Sequence, residues 1–187
     1  MTEKTIFTQS IDYIQQKGKG ILHRSVSSEE LLMIDNLFLE ANRIFVYGAG
    51  RSGLVAKAFA IRLVHLGFQT FVIGETIGAP VKKGDLTVIV TGSGETIPTV
   101  MTAEIAHKIG TKVLVIAGKK DSRILKFADL SVVLSAECDE PERKQLAPLG
   151  TLFEASAWIF LDGLVSELME RKGETEKSMQ LRHATLE

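Results

Sequence analysis

The sequence predicts an α/β fold: a doubly wound parallel sheet of five strands flanked by helices. Three observations predict it. Five short runs rich in Val, Ile and Leu recur along the 187 residues, stretches of helical periodicity lie between several of them, and glycine-rich turns follow the first and third runs. Strands that are apolar on both faces belong to sheets covered by helices on both sides, and right-handed crossovers then make the sheet parallel.

The elements follow in order. Over residues 5–22, Ile6, Phe7, Ile11, Ile14 and Ile21 recur at near-helical spacing and predict an amphipathic helix whose end is weakened by Gly18 and Gly20. Ser27 or Ser28 caps a second helix, because Glu29 and Glu30 suit its positive end and Leu31, Leu32, Ile34, Leu37 and Phe38 follow. Ile44-Phe45-Val46-Tyr47 is the first strand, and a glycine-rich turn leads from it into a helix over 52–66. Thr70-Phe71-Val72-Ile73 and Leu86-Thr87-Val88-Ile89-Val90 make the second and third strands. A helix over 95–109 precedes the fourth strand, Lys112-Val113-Leu114-Val115-Ile116, and Leu130-Ser131-Val132-Val133-Leu134 is the fifth. The charged stretch 136–145 reads as an exposed loop, and 151–172 as one more long helix. The length suits one domain, made of leading helices (1–42), an α/β core (43–172) and a C-terminal tail (173–187).

Composition removes several classes of function. With 22 basic against 23 acidic side chains the chain lacks the cationic surplus of a general nucleic-acid binder, so no nucleic-acid partner is expected. Cys138 is the only cysteine, which excludes a disulfide or a thiolate metal cluster within one chain and points to a reducing compartment. The start of the sequence has no secretory pattern and no segment approaches membrane-spanning length, so a cytoplasmic protein without a membrane partner is expected.

In a parallel sheet, ligands sit beyond the carboxyl ends of the strands, where loops meet helix N-termini. Two loops there carry suitable chemistry. In Gly48-Ala49-Gly50-Arg51-Ser52-Gly53, the glycines permit close backbone approach, Arg51 offers a guanidinium and Ser52 a hydroxyl. Thr91-Gly92-Ser93-Gly94-Glu95-Thr96 follows the third strand and adds three hydroxyls to its amides. The first loop alone also fits a dinucleotide fingerprint, with Glu75 near the spacing of a ribose-binding acid. Either loop alone is nearly as well explained as a capped tight turn. Both together favour one sugar phosphate held between them, on Gly50, Arg51, Ser52, Thr91, Gly92, Ser93, Gly94 and Thr96.

Gly-Ala-Gly-Arg-Ser-Gly after one strand and Gly-Ser-Gly-Glu-Thr after a later one resemble the sugar isomerase (SIS) domain, a flavodoxin-like three-layer fold that binds phosphosugars. The run Phe59 to Phe68, Gly74-Glu75-Thr76, Ala147 to Glu154 and the terminal Arg182 to Glu187 resemble the 6-phospho-3-hexuloisomerase branch of that family. The likeness runs from about Arg43 to the last residue.

The resemblance implies interconversion of D-arabino-hex-3-ulose 6-phosphate and D-fructose 6-phosphate through an enediol, without a metal or organic cofactor. It implies a homo-oligomer, a tetramer, with site residues shared between subunits. Formaldehyde detoxification, one-carbon assimilation (the ribulose monophosphate pathway) and pentose phosphate synthesis all remain open as its setting. The reaction needs a base at C2 and C3 and donors for an oxyanion. Glu154, in the matching Gly-Thr-Leu-Phe-Glu segment, is the expected base, with complementing its helix dipole as the plain alternative. His183 is expected to reach a neighbouring subunit and to assist proton transfer or bind sugar hydroxyls. Arg51 is expected to balance phosphate or enediolate charge, Glu75 and Thr76 to face the same crevice, and Glu142 to be the reserve base.

Glu95, beside the phosphate hydroxyls, is expected to turn away or pair with a cation. Structural roles are expected for His23, His65 and His107, no metal is assigned, and nothing points to a catalytic partner for Cys138. A binding-only SIS module, an arabinose 5-phosphate isomerase and a dinucleotide enzyme remain the rivals. The apolar stripe Phe153, Ala157, Phe160, Leu164 and Leu168 on the last long helix is expected either to mark a subunit interface or to be buried in the monomer.

Overall fold

A computed structural model of the chain describes residues 4–135 and 141–185. Its strands are β1 (Ile44–Gly48), β2 (Thr70–Val72), β3 (Leu86–Thr91), β4 (Lys112–Ala117) and β5 (Leu130–Val133), all parallel, in the order β2-β1-β3-β4-β5. The helices are α1 (Ile6–Leu22), α2 (Ser28–Glu40), α3 (Arg51–His65), α4 (Ile97–Ile109), α5 (Pro141–Leu146), α6 (Thr151–Arg171) and α7 (Glu176–Gln180). The order reverses direction between β1 and β3, which makes that junction the switch point of the sheet. Gly48 lies opposite Val90, and Thr91 opposite Ala117, so the loops after β1, β3 and β4 leave the sheet side by side.

Alternation of side chains builds two cores. Ile44, Val46, Leu86, Val88, Val90, Leu114 and Ile116 point to one face, where α1, α2, α3 and α6 cover them. Ile89, Val113, Val115 and Ala117 point to the other, under α4 and a 3-10 helix, Arg123–Phe127. β3 is buried along its whole length, which explains its unbroken apolar character. α2 starts with a capping box: the Ser27 hydroxyl accepts from the Glu30 N–H while the Glu30 carboxylate accepts from the Ser27 N–H.

Two expectations are corrected, those for the 136–145 loop and for the tail. Within the expected 136–145 loop, residues 141–146 form α5; residues 136–140, Cys138 among them, lie outside the described residues. The tail contains α7, opened by a Thr175–Ser178 capping box. The connection between β2 and β3 contains no helix and is fastened instead by a charge pair. There Arg43 donates to both carboxylate oxygens of buried Asp85, at 3.1 and 2.8 Å, and to the Pro80 carbonyl, while Asp85 also accepts from the Lys82 N–H. Finally, the α6 stripe needs no partner, because Phe153, Ala157, Phe160, Leu164 and Leu168 are all buried within the chain. The apolar side chains that α6 leaves exposed are Trp158 and Ile159.

No helix among the described residues is long and apolar enough to cross a membrane.

Candidate active site

The first loop is shaped by contact between strand and helix. A Cβ on Gly48 would come within 2.8 Å of the Gly53 nitrogen, and one on Gly53 within 2.6 Å of the Gly48 oxygen. Only hydrogen at both positions lets α3 start directly above β1. Ser52 is thereby buried in the first turn of α3, while Arg51 projects outward with its side chain 72% exposed.

Arg51 Nε donates to Glu154 Oε2 at 2.5 Å, joining the start of α3 to the first turn of α6. The Glu154 side chain is only 14% exposed, and its Oε1 lies close to Gly150, the N-cap of α6, where an added Cβ would meet it at 3.1 Å. The guanidinium and the helix N-terminus hold the Glu154 carboxylate in one orientation. Arg51, expected to balance ligand charge, is thus engaged by the expected base.

The second loop folds upon itself. The Thr91 hydroxyl, buried, accepts from the Gly94 N–H at 3.1 Å, so it shapes the turn. The Ser93 hydroxyl accepts from the Glu95 N–H at 3.2 Å and lies 3.4 Å from the Thr96 hydroxyl. Gly94 takes a left-handed conformation (φ 66°), hard against the Ser122 side chain. Glu95 turns away as expected: its Oε1 accepts from the Arg123 N–H at 2.8 Å and caps the 3-10 helix.

Beyond the carboxyl ends of β3, β4 and β5 lies a cavity of 580 Å³. Gly92 and Ser93 line one wall, Gly118 and Lys119 another, and Arg143, Gly150 and Phe153 close it. The Phe153 ring rests on Gly92 and Gly118, where a Cβ would meet ring carbons at 3.3 and 3.1 Å. Round the first turn of α6 a second groove, 420 Å³, is lined by Arg51, Glu154, Leu54, Trp158 and Ile159. Glu154 and Gly150 therefore sit at the ridge between cavity and groove.

Not every expected residue joins this site. Glu75 pairs with Lys57 of α3 at 2.5 Å, and both are half exposed. Thr76 is exposed beside it, and neither lines the cavity or the groove. Glu142 points to solvent from α5, whose neighbouring Arg143 lines the cavity instead. His183 stacks on the His65 ring, 5.0 Å between centroids, at the C-terminal end of α3. A helix of that length separates its ends by about 21 Å, so His183 lies far from the Glu154 of its own chain. Arg182 fixes it there: it donates to both oxygens of Glu174 at 2.9 Å and to the His65 carbonyl at 2.9 Å. Hydrogen bonds from Arg182 and Ser178 hold the Glu174 carboxyl down at about 2.

Sequence reading missed Gly118, Lys119 and Arg143. The first two follow β4 as Gly92 and Ser93 follow β3, so position at a strand end was the available signal. For Arg143 there was none, because one arginine in a charged stretch looks like any other.

The SIS domain family model matches residues 37–149. The chain belongs to the SIS domain family. A relative named 3-hexulose-6-phosphate isomerase, of Bacillus subtilis, is 38% identical over 172 residues, covering 89% of this chain and 93% of the relative. An uncharacterized protein of Archaeoglobus fulgidus is 46% identical over 162 residues, 85% of this chain and 86% of its own. A crystal structure from Methanococcus jannaschii, for which a molecular function of 3-hexulose-6-phosphate isomerase was inferred, superimposes with a TM-score of 0.85 at 31% identity, covering 96% of this chain and 99% of that one.

Proposed function

We propose that this SIS domain is an isomerase that interconverts D-arabino-hex-3-ulose 6-phosphate and D-fructose 6-phosphate. The observation that carries the reading is the placement of Glu154: a nearly buried carboxylate, held by Arg51 and Gly150 at the lip of a cavity whose far wall is the Ser93 loop. The phosphate rests against Ser93 and Thr96, and the sugar chain runs over Gly150 to the carboxylate. Glu154 removes the proton from C2, the C2–H electron pair forms the C2–C3 double bond, and the C3 carbonyl oxygen becomes the enediol oxygen. O3, which received the carbonyl pair, takes up a proton to give the enediol; O2 gives up its hydroxyl proton in exchange, its pair forms the C2 carbonyl, and the C2–C3 pair takes the proton back from the same carboxylate at C3. Nothing is consumed, since the reaction moves one carbonyl along the chain. Arg51 keeps the carboxylate aimed.

The site is completed by a second copy of the chain. Leu54 and Ile61 stand exposed along α3, beside Trp158 and Ile159 of α6. A two-fold axis through the middle of α3 would cover these side chains and bring the partner's α3 C-terminus, with its His65–His183 pair, towards Arg51 and Glu154. His183 then assists proton transfer between the substrate oxygens. The exposed apolar face on α3 and α6 supports the reading of a homo-oligomer, a tetramer of two such dimers.

The test is to incubate the purified protein, without added metal or nucleotide, with the hexulose phosphate and follow fructose 6-phosphate by a coupled assay, with arabinose 5-phosphate in parallel. Conversion of the hexulose phosphate alone is expected. Conversion of arabinose 5-phosphate instead would make the chain an arabinose 5-phosphate isomerase, and binding without conversion of either would make it a sensor module.

A further inference from the structure

The cavity at the strand ends has a charge that the two glycine loops do not account for. Among the described residues that line it, two are cations, Lys119 and Arg143, and none is a carboxylate. They stand on different elements, Lys119 directly after Gly118 at the end of β4 and Arg143 on α5. Among the described residues the Lys119 ammonium has no hydrogen-bond or ion-pair partner, and Arg143 donates only to a carbonyl, that of Leu149, at 3.2 Å. Some surface cations are paired with acids, as Lys57 with Glu75, Lys108 with Glu104 and Lys112 with Asp129, whereas Lys119 and Arg143 meet in one concave wall. Arg51, the guanidinium of the neighbouring groove, is paired with Glu154.

A phosphate monoester near pH 7 carries close to two negative charges and three acceptor oxygens. The Ser93 loop offers it hydroxyls and amides but no formal charge, and acidic Glu95 belongs to the same turn. Two unpaired cations opposite that loop supply the missing charge within a concave wall, where the field is focused. The planar guanidinium can take two oxygens at once, and the ammonium a third.

We propose that Lys119 and Arg143 form the cationic wall of the phosphate subsite, facing the Ser93 loop, and thereby fix which end of the sugar enters the cavity. The proposal rests on the reading of the chain as a sugar phosphate isomerase for its substrate, and on cavity geometry alone for its anion. With the phosphate clamped at the strand ends, the carbon chain runs past Gly150 towards Glu154. Arg143 has a second effect. Its bond to the Leu149 carbonyl fastens the turn before α6, where Leu149 holds a left-handed backbone (φ 56°).

The experiment measures inorganic phosphate binding by calorimetry, and steady-state kinetics on the hexulose phosphate, for the wild type, Lys119→Met, Arg143→Met and Arg143→Lys. Loss of one charge-assisted contact corresponds to roughly a tenfold change or more. Phosphate affinity should fall and KM rise about tenfold in Lys119→Met and Arg143→Met, with kcat falling much less, and Arg143→Lys should lie between. Phosphate affinity and KM within about twofold of wild type in Lys119→Met and Arg143→Lys would overturn the proposal, as would a wild type that binds no phosphate at millimolar concentration. These two variants also carry the test if Arg143→Met fails to fold. A wild type that binds phosphate through these residues yet turns over no hexulose phosphate would uphold the subsite and refute the isomerase.

Discussion

Glu154 is held from two sides, and each contact makes a separate prediction. Glu154→Gln keeps the shape and the contact with Arg51 but removes the proton acceptor, so kcat should fall by about two to four orders of magnitude while KM changes little. Turnover near the wild-type rate would move the base elsewhere. Ser93→Ala removes a hydroxyl on the cavity wall that also caps the Glu95 N–H, and should chiefly raise KM in the same assay.

A second acid, Asp35, bears on stability. Asp35 is buried on α2 with Oδ1 unpartnered, and burial, with Glu167 close by, pushes its carboxyl above the usual range. A carboxyl whose affinity for protons rises on folding favours the fold below its unfolded value and loses that contribution as pH rises through its folded one. Asp35→Asn should therefore raise the urea midpoint at pH 7 more than at pH 3.5. An unchanged midpoint at pH 7 would contradict that assignment.

Sequence patterns located Glu154, Ser93 and the glycines because local turn chemistry and a family motif both mark them. They did not reveal that Arg51 serves Glu154 or that Glu75 belongs to Lys57, because such pairings depend on how α3 sits against α6 and β2.

At the scale of elements, the closing segment behaves as a clasp. α7 packs at the C-terminal end of α3, held by hydrogen bonds from the Ser178 and Arg182 side chains to the Glu174 carboxylate and from Arg182 to the His65 carbonyl. Because the Glu174 carboxyl is held down at about 2, its contribution to stability is present above the unfolded value of 4.5 and disappears as pH falls through about 2. Glu174→Gln should release the segment at neutral pH, read as faster amide exchange in residues 175–182 with the sheet unchanged. The Arg43–Asp85 pair plays the same part for the helix-free connection before β3. Asp85→Ala leaves Arg43 without its carboxylate partner and should cost about 3–5 kcal/mol in denaturant unfolding.

The strands were legible to within a residue or two because β3 and β4 are buried on both faces and so are unbroken runs of apolar residues. α5 was illegible, since six residues dense in charge carry no helical stripe. α7 was missed for a related reason: its capping box is visible, but its five residues bury no side chain that would mark a face.

For the molecule as a whole, the decisive question is whether one site draws on two chains. Mixing Glu154→Gln with His183→Ala subunits, each nearly inactive alone, should restore activity on co-refolding, because one site in each hybrid dimer regains both wild-type residues. A site built within one chain would show no recovery. Trp158→Lys, placed on the exposed flank of α6, should yield a smaller species by light scattering and lose activity with it. α1 is seated against the far end of the chain, on α5 and α6. Tyr13, Gly18 and Ile21 are buried, Gly18 rests against Ser156 of α6, and Ser10 bonds to the Leu146 carbonyl 136 residues further on. On the ribosome, at roughly 5–20 residues per second, α1 emerges on the order of ten seconds before α6 exists. During that interval its greasy side is bare, so the nascent chain should attract holding chaperones from its earliest residues and release them only when synthesis is nearly complete.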